Sequence, residues 1–184
     1  MVGEVLVVFV CLQLSLVLGA CPHIITRAQW GARHPTSAPV HIGHPVHYAF
    51  IHHSAGPECH DRATCQAQVK AFQNYHMDTR GWPDIGYTFV IGGDGSIFEA
   101  RGWNVVGAHT LNYNSVGNGF CFIGTFTNHL PTAAAQQAVK DLIACGVAEG
   151  HIEHNYVLRG HRDMGSTECP GTAFWNHIKT WPHY

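Results

Sequence analysis

The sequence predicts a single α/β domain in which a central mixed β-sheet of about five to six strands is flanked by three helices. Its 184 residues are 46% hydrophobic, which is enough to fill one core. Short apolar runs alternate with longer segments of helical periodicity, and a glycine-rich turn joins two of these runs as a hairpin. The chain contains no internal repeat and no linker, so we do not expect a second domain.

The amino-terminal segment, residues 1–20, is typical of a cleaved signal peptide. Residues 5–18 are almost entirely apolar, yet they are too short for a membrane span, which needs about 20 residues. The segment carries Glu4 and no Lys or Arg, so a retained hydrophobic tether is the alternative. No later stretch is long and apolar enough to cross a bilayer. We therefore predict a secreted domain over residues 21–184, without stable membrane insertion.

The first half of this domain is predicted to contain a strand, a helix and a hairpin. Residues 21–46 hold four prolines and no hydrophobic period, which indicates an extended lead-in. Cys65, Val69 and Phe72 have the spacing of one helix face. The turn 92–95 (GGDG) supplies the glycines that a tight hairpin needs. In order, the predicted elements are a strand over 47–53, a helix over 61–80, a strand over 87–91 and a return strand over 96–101.

The second half is predicted to contain a loop, two strands and two helices. Residues 102–118 are polar and rich in Gly and Asn, which favours a loop. Pro131 and Thr132 are typical of a helix start, and the helical pattern ends near Gly150. The remaining elements are a strongly apolar strand over 120–126, a strand over 156–159 and a final helix marked by Phe174, Ile178 and Trp181.

Composition excludes one class of function and suggests another. The net charge of −2 provides no basic surface for nucleic acid, so we expect no nucleic-acid partner. The 16 His outnumber both the 10 Lys+Arg and the 12 Asp+Glu. Imidazoles bind metals and titrate near neutral pH. A secreted protein whose many histidines bind metal loosely is therefore one hypothesis.

Cysteine usage fits an extracellular protein, in which disulfides are the default state. Cys11 lies in the predicted signal, which leaves six cysteines in the domain. Their pairing cannot be deduced from their number. A cysteine that binds metal instead would break the even count.

Three groups of residues have chemical potential, and none is decisive alone. His52 and His53 end a predicted strand, where successive side chains point to opposite faces, so only one of them can join a given metal site. His161 and the loop residue Cys169 could together bind zinc, although a secreted cysteine is usually in a disulfide. Tyr87 begins a strand and could place its hydroxyl in a cleft, although a packing role is commoner.

In combination, these segments resemble a known family, the peptidoglycan recognition proteins, which are similar to bacteriophage-type zinc amidases. The segments that carry the resemblance are 51–55 (IHHSA), 82–87 (WPDIGY), 102–109 (GWNVVGAH) and 160–171 (GHRDMGSTECPG). The start at 27–32 (RAQWGA) and the end at 176–184 also match, so the resemblance spans residues 21–184.

The resemblance implies one Zn²⁺ per chain, held by His52, His161 and Cys169. It assigns Tyr87 a catalytic role, and Thr167 stands where the phage enzymes have a lysine. The implied reaction is hydrolysis of the amide between N-acetylmuramic acid and L-alanine in bacterial peptidoglycan, by a secreted antibacterial protein of innate immunity. A receptor that binds peptidoglycan without cleaving it is the alternative.

The resemblance also implies a substrate cleft and a preferred substrate. Positions that match the family's peptide contacts are His53, His76, Arg80, His109 and Asn114. Gly81, Trp82 and Arg101 match members that prefer meso-diaminopimelate stem peptides. Diaminopimelate has a carboxylate that lysine lacks, and a guanidinium can hold a carboxylate through two hydrogen bonds.

Finally, the resemblance implies disulfides Cys59–Cys65 and Cys21–Cys145. With Cys169 on zinc, Cys121 is left over in an apolar strand. We predict that Cys121 is a buried free thiol.

Overall fold

A six-stranded mixed sheet runs through the computed structural model, which describes residues 21–184. In chain order the elements are β1 (Ile24–Ile25), α1 (Arg27–Trp30), β2 (Val46–His53), α2 (Arg62–Asn74), β3 (Phe89–Ile91), β4 (Ile97–Glu99), β5 (Gly117–Phe122), α3 (Ala133–Ala148), β6 (Ile152–Gly160) and α4 (Thr172–Ile178). The strand order is β1-β4-β3-β5-β2-β6. The predicted fold class is confirmed.

All neighbouring strands are parallel except β3 and β4, which form the predicted antiparallel hairpin. In its turn, the Gly95 amide donates to the Gly92 carbonyl, and Gly95 has a φ of 86° that glycine adopts without strain. Parallel pairing brings the carboxyl ends of β2, β5 and β6 to one edge of the sheet. Ligand sites of α/β proteins lie at such an edge.

The sheet separates two apolar layers because successive strand residues point to opposite faces. On one face, Phe120 and Phe122 of β5 pack in a cluster with residues of α3 and α4. On the other face, Cys121 and Val90 pack with Cys65 and Val69 of α2. The helix face predicted from residues 65, 69 and 72 is therefore confirmed.

Several boundaries differ from the prediction. The predicted strand over 156–159 is longer and starts at Ile152, and the predicted strands over 87–91 and 96–101 are shorter. The predicted helix over 61–80 changes after Asn74 to a π-helical turn, Tyr75–Thr79. The predicted strand over 120–126 was wrong at both ends. It starts at Gly117 and stops at Phe122, because the chain turns at Gly124, where φ is 144°. The lead-in is not wholly extended, since it contains β1 and the single turn α1.

Both predicted disulfides, Cys21–Cys145 and Cys59–Cys65, are present. Cys121 is a free thiol with no exposed surface, as predicted. The predicted signal peptide, residues 1–20, lies outside the described residues. Within residues 21–184, no helix has the length and apolar character needed to cross a membrane.

Candidate metal centre

Three potential zinc ligands converge at the carboxyl edge of the sheet. His52, His161 and Cys169 each place one ligand atom so that all three atoms lie within 4.8 Å of one another. His52 lies near the end of β2, and His161 follows β6 directly. Cys169 lies in the loop before α4. His52 and Cys169 are buried, and His161 is half-buried.

Strand register explains how the two histidines meet. Ile51 pairs with Gly160 across β2 and β6, so the next residue of each chain segment is a histidine at the same edge. The ring centroids of His52 and His161 are 4.6 Å apart. Sequence patterns identified both strands, but only pairing β2 with β6 makes these residues neighbours.

The turn that carries His161 is anchored by the carboxylate of Asp163. This carboxylate accepts hydrogen bonds from the Gly160 amide at 2.7 Å, from Trp175 Nε1 at 2.8 Å and from the Tyr184 hydroxyl at 2.8 Å. The chain therefore fixes the orientation of the His161 turn from three directions. This role of Asp163 is not visible in the sequence, since its partners lie up to 21 residues further along the chain.

The loop that carries Cys169 is tied back to the same turn. The Arg162 amide donates to the Cys169 carbonyl at 2.9 Å, and Arg162 Nη2 donates to the Glu168 carboxylate at 2.8 Å. The Cys169 amide donates to Thr167 Oγ1 at 3.2 Å. These bonds fold the loop so that the sulfur points back toward β2.

The donor set fits zinc in both chemistry and spacing. Cys169 Sγ and His52 Nδ1 are 3.7 Å apart, close to the separation of about 3.6 Å that Zn–S and Zn–N bond lengths give in a tetrahedron. Burial lowers the pKa of His52 and of His161, so both rings are neutral and able to bind metal. Burial raises the pKa of the Cys169 thiol to about 12, so metal binding has to release a proton.

Within residues 21–184, one other group of donor residues lies this close together: Cys21, Cys145 and Glu149. Its two sulfurs form a disulfide and are not thiolate ligands. Among the described histidines, only His52 and His161 therefore belong to a credible metal site. This distribution disfavours the hypothesis of loose binding by many histidines.

His53, the next residue after the ligand His52 on β2, does not belong to the group of metal donors. Its Nδ1 accepts a hydrogen bond from the Phe126 amide at 3.3 Å. Burial lowers its pKa to about 4, so the ring is neutral. His53 nevertheless lines the same cavity as the ligands.

Tyr87 and Thr167 flank the metal ligands. The ring of Tyr87 is 5.5 Å from that of His52, centroid to centroid. Burial of the Tyr87 phenol raises its pKa well above 10, so it stays protonated and can donate a hydrogen bond. Thr167 uses its oxygen to accept from the Cys169 amide, which leaves its hydroxyl proton free.

These residues line a cavity of about 340 Å³ that forms part of an open cleft. A second cavity of about 420 Å³ continues the cleft and shares Trp82, Ala108, His109 and His161 with the first. The predicted contacts His53, His76, Trp82 and His109 line the first cavity, and Arg80 and Asn114 line the second. The structure therefore gathers most of the predicted substrate contacts in one cleft.

One wall of the cleft is a stack of side chains. The His76 and Trp82 rings lie 4.8 Å apart and nearly parallel, and the Arg80 guanidinium lies 5.2 Å from the Trp82 ring centroid. His76 Nδ1 accepts from the Gly86 amide. Gly81 contributes the turn between these residues, with a φ of 68°.

Arg101 is placed differently from the other predicted contacts. It lines a separate cavity of about 240 Å³. Its Nε donates to the Ile85 carbonyl and its Nη1 to the Val106 carbonyl, both at 2.6 Å. Within residues 21–184, its buried Nη2 has no hydrogen-bond partner. The backbone thus fixes the guanidinium at a cavity separate from the one that gathers the other predicted contacts.

Thr110, which is 1% exposed, is a residue of the site that was not predicted from the sequence. Its Oγ1 lies 3.0 Å from His109 Nδ1 and 3.4 Å from His52 Nε2. Asn114, predicted as a peptide contact, has its Oδ1 engaged with the amides of His109 and Thr110. No sequence signal marks Thr110, because its contact with His52 joins a loop to a distant strand.

Comparison with known proteins identifies the family. Residues 42–172 match the N-acetylmuramoyl-L-alanine amidase family. Peptidoglycan-recognition protein SC2 of Drosophila simulans is 46% identical over 179 residues, which cover 97% of this chain and 95% of that protein. The chain belongs to the amidase family, among its peptidoglycan recognition proteins. The resemblance inferred from the sequence is confirmed.

Other members of the amidase family are similar in sequence and in fold. The human N-acetylmuramoyl-L-alanine amidase is 43% identical over 167 residues, which cover 89% of this chain but 29% of the human protein. The structure of peptidoglycan recognition protein-LE in complex with tracheal cytotoxin, a monomeric diaminopimelic acid-type peptidoglycan, superposes with a TM-score of 0.87. The two sequences are 43% identical, and the superposition covers 88% of this chain and 95% of the other chain. The structure of human PGRP-IBETAC in complex with glycosamyl muramyl pentapeptide superposes with a TM-score of 0.85. The two sequences are 42% identical, and the superposition covers 89% of this chain and 98% of the other chain.

Proposed function

We propose that this member of the amidase family hydrolyses the amide between N-acetylmuramic acid and L-alanine in bacterial peptidoglycan. The observation that carries the proposal is the grouping of His52, His161 and Cys169 within 4.8 Å of one another at the floor of an open cleft. Two neutral imidazoles and one thiolate are a donor set typical of catalytic zinc, where three protein ligands leave a further position open. Zinc bound there supplies Lewis acidity toward the scissile carbonyl and lowers the pKa of water.

The side chains around the ligands perform the remaining tasks. The Tyr87 phenol donates a hydrogen bond to the scissile carbonyl oxygen as that oxygen gains negative charge. Its raised pKa suits this role, because a phenolate could not donate. The Thr167 hydroxyl, whose proton is free, offers a second and uncharged donor. It contributes less than the lysine found at this position in phage enzymes, because it carries no charge.

The cleft binds the stem peptide that extends from the scissile amide. Its open shape and its length beyond the ligands suit an extended peptide, with the Trp82 stack as one wall. Two similar solved structures hold fragments of peptidoglycan, tracheal cytotoxin in one and a muramyl pentapeptide in the other. By analogy, the substrate contacts are the eight residues predicted from the sequence: His53, His76, Arg80, Gly81, Trp82, Arg101, His109 and Asn114.

We assign the preference for diaminopimelate to Arg101. Its Nη2 is the guanidinium nitrogen without a partner, and its other two nitrogens are fixed by backbone carbonyls. A fixed cation with one unsatisfied donor favours a ligand that brings a carboxylate. Because Nη2 is buried and Arg101 lines a cavity separate from the cleft, the assignment rests on the family resemblance and on this unsatisfied donor, not on an open two-pronged guanidinium.

The protein acts outside the cell. Its two disulfides persist in an oxidising compartment, and the signal peptide predicted over residues 1–20 supplies the route. Immunoblotting of medium and cells that express the full chain tests the location, and amino-terminal sequencing of the secreted form tests cleavage.

The amidase proposal is tested by measuring the zinc content of the purified protein and its digestion of diaminopimelate-type peptidoglycan. We expect about one zinc per chain in the wild type and release of free L-alanine amino termini. Cys169→Ser removes the thiolate ligand and should abolish both. Cys121→Ser is the matched control for zinc content, since Cys121 is the other free thiol in residues 21–184 and lies outside the donor set. It does not serve as a control for activity, because Cys121 lies beside the Tyr87 phenol. Activity that survives both Cys169→Ser and chelation would contradict the proposal.

A receptor that binds peptidoglycan without cleaving it is the alternative. It is favoured by the two solved relatives in complex with peptidoglycan fragments. Tight binding of purified peptidoglycan, with no new amino termini even in zinc-loaded protein, would establish it. The retained set of three ligands is the observation that favours the amidase over this receptor.

A further inference from the structure

The ring nitrogen of His52 that faces away from Cys169 lies in a buried polar cluster. His52 Nδ1 faces the sulfur at 3.7 Å, and Nε2 lies 3.2 Å from His109 Nδ1 and 3.4 Å from Thr110 Oγ1. His109 Nδ1 and Thr110 Oγ1 are 3.0 Å apart. Three polar atoms from a strand and a distant loop thus form a closed triangle behind the ligand.

The protons in this triangle can be assigned. If Nδ1 of His52 binds metal, its proton must be on Nε2, which is then a donor. The Thr110 hydroxyl donates to His109 Nδ1 and accepts from His52, so the His52 proton is shared between both neighbours. His109 Nδ1 must carry a lone pair, which places the His109 proton on Nε2. In this arrangement each of the three polar atoms has a hydrogen-bond partner.

The fold holds the His109 ring in this position. A Cβ at Gly119 would lie 2.5 Å from His109 Cγ, and a Cβ at Gly107 would also clash with the ring. Glycine at both positions therefore creates a slot for the imidazole. The Asn114 side chain fixes the backbone by accepting from the amides of His109 and Thr110, at 2.8 and 2.9 Å. The triangle is built by the fold and is not a chance contact.

We propose that His109 and Thr110 are positioning residues for the zinc ligand His52, fixing its ring orientation and holding its proton on Nε2. The proposal rests on the proposed zinc site. A metal-bound histidine generally donates its other N–H to a fixed acceptor, and loss of that acceptor weakens metal binding by about 10- to 100-fold. Here the acceptor is an imidazole backed by a hydroxyl.

This assignment also changes the role of His109 in the cleft. Within residues 21–184, His109 Nε2 is buried without a hydrogen-bond partner, and the residue lines both cavities of the cleft. His109 therefore connects the cleft to a metal ligand through one ring.

The test measures zinc affinity by competition with a chelator of known affinity. His109→Phe keeps a planar ring but removes the acceptor, and we expect about 10- to 100-fold weaker zinc binding. Thr110→Val removes the hydroxyl at nearly constant volume and should also weaken binding. Thr110→Ser restores the hydroxyl and should recover wild-type affinity. His76→Phe is the matched control for zinc affinity, because it makes the same change elsewhere in the cleft.

A spectroscopic readout separates positioning from general damage to the fold. In the metal-free protein, long-range proton–nitrogen spectra of the imidazoles should show His52 and His109 each protonated at Nε2. Thr110→Val should change the His52 signals while the melting temperature and the His76 signals change little. If His109→Phe fails to fold, the comparison of Thr110→Val with Thr110→Ser still tests the proposal.

The outcomes distinguish this inference from the proposed function. A wild-type protein that binds no zinc overturns both. Zinc binding with unchanged affinity and unchanged His52 signals in Thr110→Val overturns this inference alone. Weakened binding that Thr110→Ser restores supports it.

Discussion

The backbone amide of His53 donates a hydrogen bond to Sγ of Cys169, over 3.3 Å and 116 positions of sequence. This bond ties the end of β2 to the loop before α4 at the metal centre. It also opposes the effect of burial on the thiol, because an N–H donor favours the thiolate form. A main-chain hydrogen bond therefore helps to position the sulfur, together with the bonds that tie its loop to the His161 turn.

Removal of the Tyr87 hydroxyl tests its role as a donor to the developing oxyanion. We expect Tyr87→Phe to lower kcat by about 10²- to 10³-fold. KM and zinc content should change little, because the ring is retained and does not belong to the donor set. Steady-state cleavage of a muramoyl peptide and metal analysis measure these quantities. Tyr156→Phe, on β6, is the control, and a comparable loss in that variant would argue against a specific role for Tyr87.

Substitution of Arg101 tests the assignment of diaminopimelate preference. A hydrogen bond to a charged group contributes about 1.5–3 kcal/mol, so Arg101→Gln should reduce the preference for diaminopimelate over lysine muropeptides by about 10- to 100-fold. Binding of the lysine muropeptide should be nearly unchanged. Paired titrations with both muropeptides measure the ratio, with Arg159→Gln as a charge-matched control. An unchanged ratio would refute the role of Nη2.

The two disulfides should differ in their contributions to stability. In the chain-entropy model, closing the 124-residue separation of Cys21–Cys145 stabilises the fold by about 5 kcal/mol, and the 6-residue separation of Cys59–Cys65 by about 2 kcal/mol. Paired Cys→Ala variants of each bridge, unfolded in urea, give the two free energies. A smaller loss on removal of Cys21–Cys145 would contradict the loop-length argument.

Acid should destabilise the protein partly through His76. Burial lowers its folded-state pKa to about 4, and the positive charges of Arg101 and Arg80 add to the effect. The unfolded chain binds this proton near pH 6.5, so it holds more protons than the folded chain between about pH 6.5 and pH 4. Stability is therefore lost as pH falls through this window, by at most about 1.4 kcal/mol per pH unit for one site.

Urea unfolding of metal-free protein between pH 7.5 and pH 4.5 measures this dependence. His76→Phe should flatten the slope, although other buried histidines keep part of it. His183→Phe is the control, since it makes the same change at an exposed histidine near the carboxyl terminus. Equal slopes in the wild type and His76→Phe would show that His76 does not contribute.

Local patterns predicted the elements of the fold well where one physical signal dominated. The period of Cys65, Val69 and Phe72 located α2, and the glycine-rich turn located the hairpin. The predicted ends of strands were wrong where the backbone turns within an apolar segment. The run 120–126 is mostly apolar, but the chain turns at Gly124 and β5 ends at Phe122.

The sequence by itself determined the donor types, the fold class and, through family resemblance, the positions of the ligands and disulfides. These properties follow from the chemistry of single residues and from patterns between residues that are close in sequence. Tertiary structure alone decided which nitrogen of His52 faces Cys169, that Asp163 fixes the His161 turn, and that two of three Arg101 nitrogens are already engaged. Each of these features depends on contacts between segments that are distant in sequence and that the folded chain brings together. Patterns between neighbouring residues therefore cannot predict them.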